Sequence, residues 1–319
     1  MKPKKVLITG MSGYIGGALC RTLEHRAWCI HVDGCDIRPP LDRLDKVTFR
    51  RLDINDPALG DWIVECAPDV LIHLAYVVDP IHDEALMHRI NVDGTHAVLA
   101  AAVRAFVPQI MVASSGTAYG AWPDNPVPLR EDDPIRPHPT FQYAREKAEV
   151  ESICAQFMAD HPDVVFSVIR PCVLYGPRVR NYLARLLTGL PVVIGLAGYN
   201  PDLQFVHEDD VCEAICAILE QEARGAFNIA PPDSLSMEET LHLAGKPVVK
   251  LPDRVLTGLA DLMWRAHIKL LGAPSPFLDY LRYPWVLDPG RLIDELGFRF
   301  RYSSRDAVTI MLRAKGVLR

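Results

Sequence analysis

The stretch that most constrains this chain is a short apolar run that stops at closely spaced glycines and resumes as a helical pattern. Val6, Leu7 and Ile8 lead into Thr9-Gly10-Met11-Ser12-Gly13-Tyr14-Ile15-Gly16. From residue 17 to residue 23 the apolar residues recur at helical spacing. The pattern predicts a strand, a tight turn and a helix.

The chemistry of a phosphate ligand explains the three glycines. Gly10 permits the tight exit from the strand, Gly13 allows close approach of the backbone to a pyrophosphate, and Gly16 lets the helix pack on the strand. Free N–H groups at the start of the helix would face the phosphates. We expect a dinucleotide ligand, with the loop residues between these glycines also in its site: Ser12, Tyr14 and Ile15.

The second strand, predicted over residues 28–38, decides which dinucleotide fits. A carboxylate at its end would accept hydrogen bonds from the ribose hydroxyls, and we assign this role to Asp36; the alternative, Asp33, reads as a solvated strand residue. A carboxylate repels a 2′-phosphate, so Asp36 favours NAD. Arg38, two residues on, could support NADP, which stays open.

Composition sets broad limits on partners and location. The chain has 319 residues, enough for one large domain or two intimate ones, and its net charge of −6 shows no basic surplus. No segment has the ~18 uninterrupted apolar residues of a membrane span, and the first five residues lead straight into the first strand. We expect a cytoplasmic protein with a small-molecule substrate and with neither nucleic acid nor membrane as a partner.

The eight cysteines are scattered through predicted helices and strands, with no disulfide framework. Cys212 and Cys216 lie four apart on a predicted helix and could share a metal ion, but two ligands do not make a site. We interpret all eight as reduced thiols and expect no metal.

Two further strands are predicted to end beside the cofactor. The third, residues 47–54, ends at Asp53 and Ile54, which are placed to meet the adenine; a plain strand-end acid is the alternative. The fourth, residues 68–75, is nearly continuously apolar, as expected for a strand buried on both faces. Its end should border the cofactor at Leu74, Ala75 and Tyr76, and we expect the buried His73 to be hydrogen-bonded to backbone.

Residues 84–106 are predicted to form one long helix. Asn91 has a poor helix propensity in its middle, which suggests that its amide holds neighbouring backbone at the active-site wall; a solvated helix face is the alternative. Further on, the loop of residues 121–139 is rich in proline and acid. We expect it to cover the crevice at the strand ends.

The fifth strand, residues 109–113, is followed by hydroxyl-bearing residues that include Ser115. Tyr143 and Lys147 are four apart at the start of a predicted helix, so they share one helical face. A lysine ammonium near a phenol stabilises the phenolate and would move the pKa of the tyrosine towards neutrality. This pair could therefore exchange a proton with an alcohol or carbonyl.

Together these motifs resemble the extended short-chain dehydrogenase/reductase family, in particular its NAD-dependent epimerase/dehydratase branch. The resemblance covers nearly the whole chain and also includes Arg170-Pro171, Tyr175-Gly176-Pro177 and Phe227-Asn228-Ile229-Ala230. It implies a doubly wound parallel α/β Rossmann fold with a smaller C-terminal substrate-binding lobe. It also implies Tyr143 as proton donor or acceptor, Lys147 as its electrostatic partner and ribose ligand, and Ser115, with Thr117 nearby, as the hydroxyl that polarises the reacting oxygen. Pro171, Cys172 and Val173 would lie beside the nicotinamide.

The resemblance further implies how the lobes alternate along the chain. Residues 1–175 form the nucleotide-binding domain, to which residues 204–230 return, and residues 176–203 and 231–319 form the substrate-binding lobe. Relatives often pair the helices that begin near Glu84 and Gln142 across a dimer interface, so we expect a homodimer.

The chain departs from the family pattern where substrate would bind. Val173 stands where nucleotide-sugar enzymes usually carry an asparagine, and Leu203-Gln204 where they tend to carry an arginine for the diphosphate. Losing such charge-assisted contacts should weaken nucleotide-sugar binding unless others compensate. The candidates for compensating contacts to a diphosphate are Arg178, Arg180 and Arg185. Arg178 and His207 are also the candidates for substrate contact more generally. The aromatic segment of residues 277–285 indicates either an apolar substrate pocket or core packing.

Three functions are consistent with the sequence. The first is an NAD(P)-dependent oxidoreductase that interconverts a secondary alcohol and a ketone. The second is a nucleotide-sugar 4-epimerase or dehydratase with tightly bound NAD, which makes no net redox change. The third is a non-catalytic dinucleotide sensor, and the intact Ser115, Tyr143 and Lys147 argue against it.

Overall fold

The computed structural model describes residues 2–268 and 273–318, in which strands and helices alternate. The strands are β1 (Lys4–Thr9), β2 (Cys29–Asp36), β3 (Val47–Arg51), β4 (Val70–His73), β5 (Gln109–Ala113), β6 (Val165–Pro171), β7 (Val173–Tyr175), β8 (Val193–Leu196), β9 (Asp202–Leu203), β10 (Phe205–His207), β11 (Gly225–Ile229), β12 (Leu235–Ser236) and β13 (Val248–Leu251). The α-helices are α1 (Tyr14–Glu24), α2 (Ala58–Cys66), α3 (Glu84–His88), α4 (Gly94–Arg104), α5 (Gln142–Asp160), α6 (Tyr182–Thr188), α7 (Glu208–Glu220), α8 (Met237–Leu243), α9 (Asp253–Arg265), α10 (Asp279–Arg282), α11 (Gly290–Leu296) and α12 (Ser304–Ala314). Two 3-10 helices span Gly116–Tyr119 and Ser275–Leu278.

Seven strands form one parallel sheet in the order β11-β6-β5-β4-β1-β2-β3. The chain runs outward from β1 through β2 and β3, and then crosses back to place β4 on the other side of β1. Ligands of such sheets bind outside the carboxyl ends of the strands, at this reversal of strand order. The predicted doubly wound fold is therefore confirmed.

The central strands β4 and β5 are buried along their whole length, which explains their nearly continuous apolar sequences. His73 is a buried polar residue at the end of β4.

The expectation that the His73 ring is hydrogen-bonded to backbone was wrong. Its Nδ1 lies 2.7 Å from Thr9 Oγ1, and its Nε2 lies 3.1 Å from Thr95 Oγ1. Because the Thr95 hydroxyl donates to Asn91 O, it accepts from Nε2–H. Burial lowers the pKa of His73 to about 3, so the ring is neutral.

The long helix predicted for residues 84–106 is present in three joined parts. A π-helical turn, Arg89–Asp93, connects α3 to α4. Such turns are frequent at functional sites because they redirect the side chains that follow. Asn91 lies in this turn and is completely buried.

The remaining elements pack beside the sheet as short strand pairs and helices. β10 pairs with β7, β12 with β9 and β13 with β8, and the segment after β10 returns through α7 to the sheet edge at β11. This return lies within the segment 204–230 that was assigned to the nucleotide lobe. The limits of the two lobes stay a prediction, and residues 269–272 of the second lobe lie outside the described residues.

The loop of residues 121–139, which we expect to cover the crevice, is bonded to a C-terminal segment. Leu129 N–H donates to Val286 O (2.7 Å), and Asp288 N–H donates to Leu129 O (2.7 Å), so this loop is held against a C-terminal segment. Asn228 Nδ2 on β11 also donates to Leu129 O. The loop therefore joins the sheet edge to the C-terminal part of the chain.

Two features are absent from residues 2–268 and 273–318. None of their helices combines the length and the apolar character that crossing a bilayer requires. Among the same residues, no group of three or more His, Cys, Asp or Glu side chains is arranged to hold a metal ion.

Candidate active site

The glycine-rich loop between β1 and α1 is packed too closely for any side chain at two of its glycines. Gly10 has φ +74°, and a Cβ there would lie 2.6 Å from Ala75 N. A Cβ at Gly16 would lie 2.3 Å from Gly10 O. Gly13 immediately precedes α1 and has no side chain to cap it, so the first N–H groups of this helix stay available to a ligand.

Asp36, at the end of β2, lies directly beside this loop. Ser12 N–H donates to Asp36 Oδ2 (3.2 Å), and Arg38 N–H donates to Asp36 Oδ1 (3.0 Å). The Ser12 hydroxyl donates to Arg38 O. The alternative carboxylate, Asp33, lies instead 3.2 Å from the Nε2 atom of His31.

The two residues assigned to the adenine follow β3. Asp53 is exposed and accepts a hydrogen bond from Asn55 N–H (2.9 Å). Ile54 is buried, and its side chain would be 3.0 Å from a Cβ at Gly94 on α4. Asp53 and Ile54 follow the carboxyl end of β3, and Asp36 lies at the carboxyl end of the neighbouring parallel strand β2.

A cleft of about 230 Å³ runs from the glycine-rich loop to the ends of β5 and β6. Fourteen of the predicted site residues line it: Gly10, Gly13, Tyr14, Ile15, Gly16, Leu74, Tyr76, Ser115, Thr117, Tyr143, Lys147, Pro171, Cys172 and Val173. Of the described residues assigned to the site, the others lie outside this lining: Ser12, Asp36, Arg38, Asp53, Ile54, Ala75, Asn91, Arg178, Arg180, Arg185 and His207. The chain therefore gathers the loop and the hydroxyl-bearing residues into one cleft.

Ser115 begins the wall of the cleft that carries the hydroxyl groups. The Thr117 hydroxyl donates to Ser115 Oγ (2.9 Å), and Thr117 N–H reaches the same atom at 3.2 Å. Tyr143, at the start of α5, is buried in this wall. The burial raises the pKa of Tyr143 to about 12, although hydrogen bonding to Ser115 acts in the opposite direction.

Lys147 is buried one turn further along α5. Its Nζ atom donates to Ala113 O (2.7 Å), lies 3.0 Å from the centroid of the Tyr76 ring, and lies 6.0 Å from that of Tyr143. Burial lowers the pKa of Lys147 to about 7. The expectation that this ammonium brings the pKa of Tyr143 towards neutrality was wrong for this structure, since burial penalises the charged forms of both groups.

Asn91 fixes the segment that follows β4, next to the glycine-rich loop. Its Oδ1 accepts from Val77 N–H (2.7 Å), and its Nδ2 donates to Val77 O (3.1 Å) and to Glu146 Oε2 (2.7 Å). The expectation that this amide holds neighbouring backbone is confirmed. Through it the segment after β4, which carries Tyr76, is tied to α5.

Arg178 and His207, assigned to substrate, lie away from the described lining of the cleft. The half-exposed Arg178 donates to Asp42 Oδ2 (2.9 Å). His207 is buried, accepts from Asp209 N–H (3.2 Å), and packs on the Tyr302 ring at 4.1 Å between centroids. Each side chain already has a partner of its own.

A comparison with known protein families decides the membership of the chain. The model of the NAD dependent epimerase/dehydratase family matches residues 6–230. The chain belongs to this family. The membership confirms the prediction of an NAD-dependent enzyme of the extended short-chain dehydrogenase/reductase type.

Several known proteins are similar to most of the chain. An uncharacterized protein of Mycobacterium tuberculosis (strain ATCC 25618 / H37Rv) is 26% identical over 99% of this chain and 85% of its own length. The 3-diazoavenalumate denitrifying reductase of Streptomyces sp is 29% identical over 79% of this chain and 84% of its own. The structure of MoeE5 in complex with UDP-glucuronic acid and NAD has a TM-score of 0.76 and 24% identity, and the match covers 98% of this chain and 99% of that one. The last similarity shows the shared fold.

The cleft of this family member fits a bound dinucleotide. At one end, the N–H groups of the first turn of α1 have no acceptor within the helix. At the other end, Ser114 Oγ is buried and has no hydrogen-bond partner within residues 2–268 and 273–318. The ammonium of Lys147 retains donor capacity beyond its bond to Ala113 O. A chain of phosphate and ribose oxygens would satisfy all three groups.

Sequence reasoning did not assign several residues that line this cleft: Val78, Ala113, Ser114, Leu174, Asn181, Tyr182 and Leu183. Trp285 also lines it and belongs to the aromatic segment for which a substrate pocket was one of two alternatives. Ser114 could have been found, because it belongs to the hydroxyl-bearing segment after β5. Tyr182 and Leu183 on α6, and Trp285 near the C-terminus, carry no local signal that connects them with β5. Only their packing brings them to the cleft.

Proposed function

We propose that the protein is an NAD(P)-dependent oxidoreductase that interconverts a secondary alcohol and a ketone. The observation that carries the proposal is a single cleft with the glycine-rich loop at one end and Ser115, Tyr143 and Lys147 at the other. The loop is suited to a dinucleotide, and the three side chains are suited to proton transfer at a substrate oxygen. Sequence similarity to a Streptomyces reductase agrees with a redox reaction.

The chain offers a group for each part of the dinucleotide. The N–H groups at the start of α1 would bind the pyrophosphate, and Asp36 would accept from the adenosine ribose hydroxyls. Lys147 would donate to the ribose next to the nicotinamide. The carboxylate of Asp36 favours NAD, whereas the exposed Arg38 keeps NADP open as an alternative.

In the proposed reaction Tyr143 and Ser115 act on the substrate oxygen. A bound nicotinamide would supply the hydride in the reduction and accept it in the oxidation. In the reduction, the phenol of Tyr143 gives its proton to the carbonyl oxygen as the carbon gains the hydride; in the oxidation, the phenolate removes the hydroxyl proton. Ser115 donates a hydrogen bond to that oxygen and so stabilises the charge that develops there.

The alternative is a nucleotide-sugar 4-epimerase or dehydratase that keeps its NAD through each cycle. The fold shared with MoeE5, whose structure holds UDP-glucuronic acid and NAD, supports this alternative. The departures at Val173 and Leu203-Gln204 weigh against it, because these positions lack the asparagine and the arginine that nucleotide-sugar enzymes of the family usually carry there.

The identity of any retained cofactor separates the two reactions. The purified protein would be denatured, and any released dinucleotide identified by chromatography and mass spectrometry. One NAD per chain would favour the epimerase or dehydratase. An empty site that binds reduced cofactor reversibly would favour the proposed oxidoreductase. Comparing the dissociation constants of NADH and NADPH would test the role of Asp36, which favours NADH.

Removing the phenol hydroxyl tests the catalytic assignment. Tyr143→Phe should lower kcat by about 10²- to 10⁴-fold, the usual contribution of a positioned acid or base. The dissociation constant of the dinucleotide, measured by calorimetry, should stay nearly the same. Tyr302→Phe makes the same change away from the cleft and should keep full activity. Unchanged turnover in Tyr143→Phe would remove Tyr143 from the reaction and revive the sensor hypothesis.

We also propose a cytoplasmic homodimer. Leu86 on α3 and Val103 on α4 are exposed apolar side chains on the helical segment expected at the interface. Burial of these side chains against a second copy would stabilise the pair.

A further inference from the structure

A second cavity, of about 90 Å³, adjoins the cleft. The two spaces share five lining residues: Thr117, Val173, Tyr182, Leu183 and Trp285. Phe141, two residues before Tyr143, also lines the second cavity. A group attached to a carbon that reacts at Tyr143 and Ser115 can therefore extend directly into this space.

The far wall of the second cavity is hydrocarbon. It is formed by α6, β8, α8 and the 3-10 helix before α10, through Leu187, Ile194, Met237, Leu241 and Phe277. None of the described residues that line the cavity is charged. Such a surface gains free energy by burying apolar atoms and loses it by desolvating ionic ones.

Two hydroxyl groups of this lining are already bonded to backbone carbonyls. The Tyr280 hydroxyl donates to Thr117 O (2.7 Å), and the Thr240 hydroxyl donates to Ser236 O (3.0 Å). A polar substrate group that used either hydroxyl as a donor would have to displace its bond.

Two of the three arginines that could compensate for a diphosphate, Arg178 and Arg185, are engaged in ion pairs, whereas Arg180 is an exposed side chain. Arg178 pairs with Asp42 (2.9 Å), and Arg185 pairs with Asp79 (3.1 Å). Both pairs lie at the surface and outside the described lining of the second cavity. Binding a diphosphate through either arginine would first require its carboxylate partner to be displaced.

The two positions that depart from the family pattern are also used differently here. Val173 contributes a hydrocarbon wall to both spaces. Gln204 accepts from Leu287 N–H (2.7 Å) and donates to Leu287 O (3.1 Å) and Pro231 O (2.9 Å), so its amide is fully occupied in holding backbone. A substrate would therefore meet hydrocarbon at Val173, and the amide of Gln204 has no free N–H to donate to it.

We propose that the substrate is a ketone or secondary alcohol that carries an uncharged alkyl or aryl group, and that this group fills the second cavity. The inference rests on the proposed oxidoreductase function and names its substrate class. Atoms and charge balance as in that reaction, with the carbonyl carbon gaining the hydride and the oxygen gaining the proton of Tyr143. The apolar group takes no part in the chemistry and supplies binding energy.

Chain length is the direct test. Reduction of a series of methyl ketones from butanone to octanone would be followed by oxidation of NADH and of NADPH. Each methylene that enters the cavity should raise kcat/KM about four-fold until the space is full, after which the series should level or fall. Rates that do not vary with chain length would overturn the proposal.

Two variants should shift the chain length that gives the highest kcat/KM in opposite directions. Leu187→Phe fills the far wall and should move the optimum to a shorter ketone, whereas Leu241→Ala enlarges the space and should move it to a longer one. Leu262→Phe makes the first substitution at an exposed residue of α9 and should leave the optimum in place. An optimum that is the same in all three variants would contradict a group bound in this cavity.

A binding measurement separates failure of this inference from failure of the proposed function. Calorimetric titration with the matching secondary alcohols should show affinity that rises with chain length, with UDP-glucose binding more weakly than the longer alcohols. Length-dependent binding without any hydride transfer would keep the apolar site and overturn the oxidoreductase. Hydride transfer combined with tighter binding of UDP-glucose would overturn the apolar substrate and keep the redox reaction.

Discussion

At the scale of single residues, burial dominates the chemistry of the site. Tyr143 and Lys147 lie on one helical face, as their spacing predicts, but the pKa of the phenol is raised and that of the ammonium is lowered. The lysine is held by Ala113 O and the Tyr76 ring instead of reaching the phenol. Four-residue spacing determines proximity along a helix, whereas the surrounding protein determines which charges are favourable.

The lowered pKa of Lys147 predicts a pH dependence of stability. Between about pH 7 and the ordinary lysine pKa near 10.5, Lys147 binds a proton in the unfolded chain but not in the folded chain, so its contribution to the free energy of unfolding should rise with pH in this window. Lys147→Met should remove this rise and should stabilise the protein most near neutral pH. Urea unfolding across the window is the measurement, and Lys315→Met, at an exposed lysine, is the matched control. Parallel curves for Lys147→Met and the wild type would contradict the assignment.

At the scale of elements, the π-turn between α3 and α4 positions one wall of the site. It brings Asn91 to the backbone of Val77 and to the carboxylate of Glu146 on α5. Burial raises the pKa of Glu146, and the hydrogen bond from Asn91 opposes that rise. The sequence predicted one continuous helix and not the π-turn, because the turn is fixed by packing and by the buried bonds of Asn91, which the apolar pattern does not report.

Asn91→Ala should destabilise the fold. The change leaves the backbone groups of Val77 and a carboxylate oxygen of Glu146 buried without this partner, and unsatisfied buried groups cost about 1–3 kcal/mol each, so a loss on the order of 3 kcal/mol is expected. Dinucleotide affinity should fall as well, because the segment that carries Tyr76 loses its anchor. Chemical denaturation and calorimetric binding would measure both effects. Asn55→Ala, at an exposed asparagine, should change stability by less than about 0.5 kcal/mol; an equal effect of the two variants would refute the anchoring role.

At the scale of the whole molecule, segments far apart in sequence are joined by buried amides. Gln204 holds Leu287, and Asn228 on β11 donates to Leu129 O and Asp288 O. These bonds unite the sheet edge, the loop of residues 121–139 and the C-terminal segment. Trp285, two residues before Leu287, lines both spaces of the site.

Gln204→Ala should therefore lower the stability of the protein and weaken its discrimination between ketones of different length. Three buried backbone hydrogen-bonding groups, on Leu287 and Pro231, lose their partner, which should cost on the order of 3 kcal/mol and lower Tm by several degrees. Differential scanning calorimetry would record the change, with Gln156→Ala on the exposed face of α5 as the control. The dependence of rate on ketone length should also flatten, because the wall at Trp285 is no longer fixed. A Tm equal to that of the control would show that the amide does not hold this segment.

Residue spacing alone predicted the glycine-rich loop between a strand and a helix, and the shared helical face of Tyr143 and Lys147, because short-range spacing reports the local element and the face that is buried. The doubly wound sheet was implied by the resemblance to a known family, and the strand order confirms it. Only the tertiary structure decided the partners of His73 and Lys147, the ion pairs of Arg178 and Arg185, and the hydrocarbon cavity between α6 and Trp285. The physical reason is that pairing, burial and the resulting pKa shifts depend on distances between residues remote in the chain, whereas periodicity does not specify what a buried face packs against.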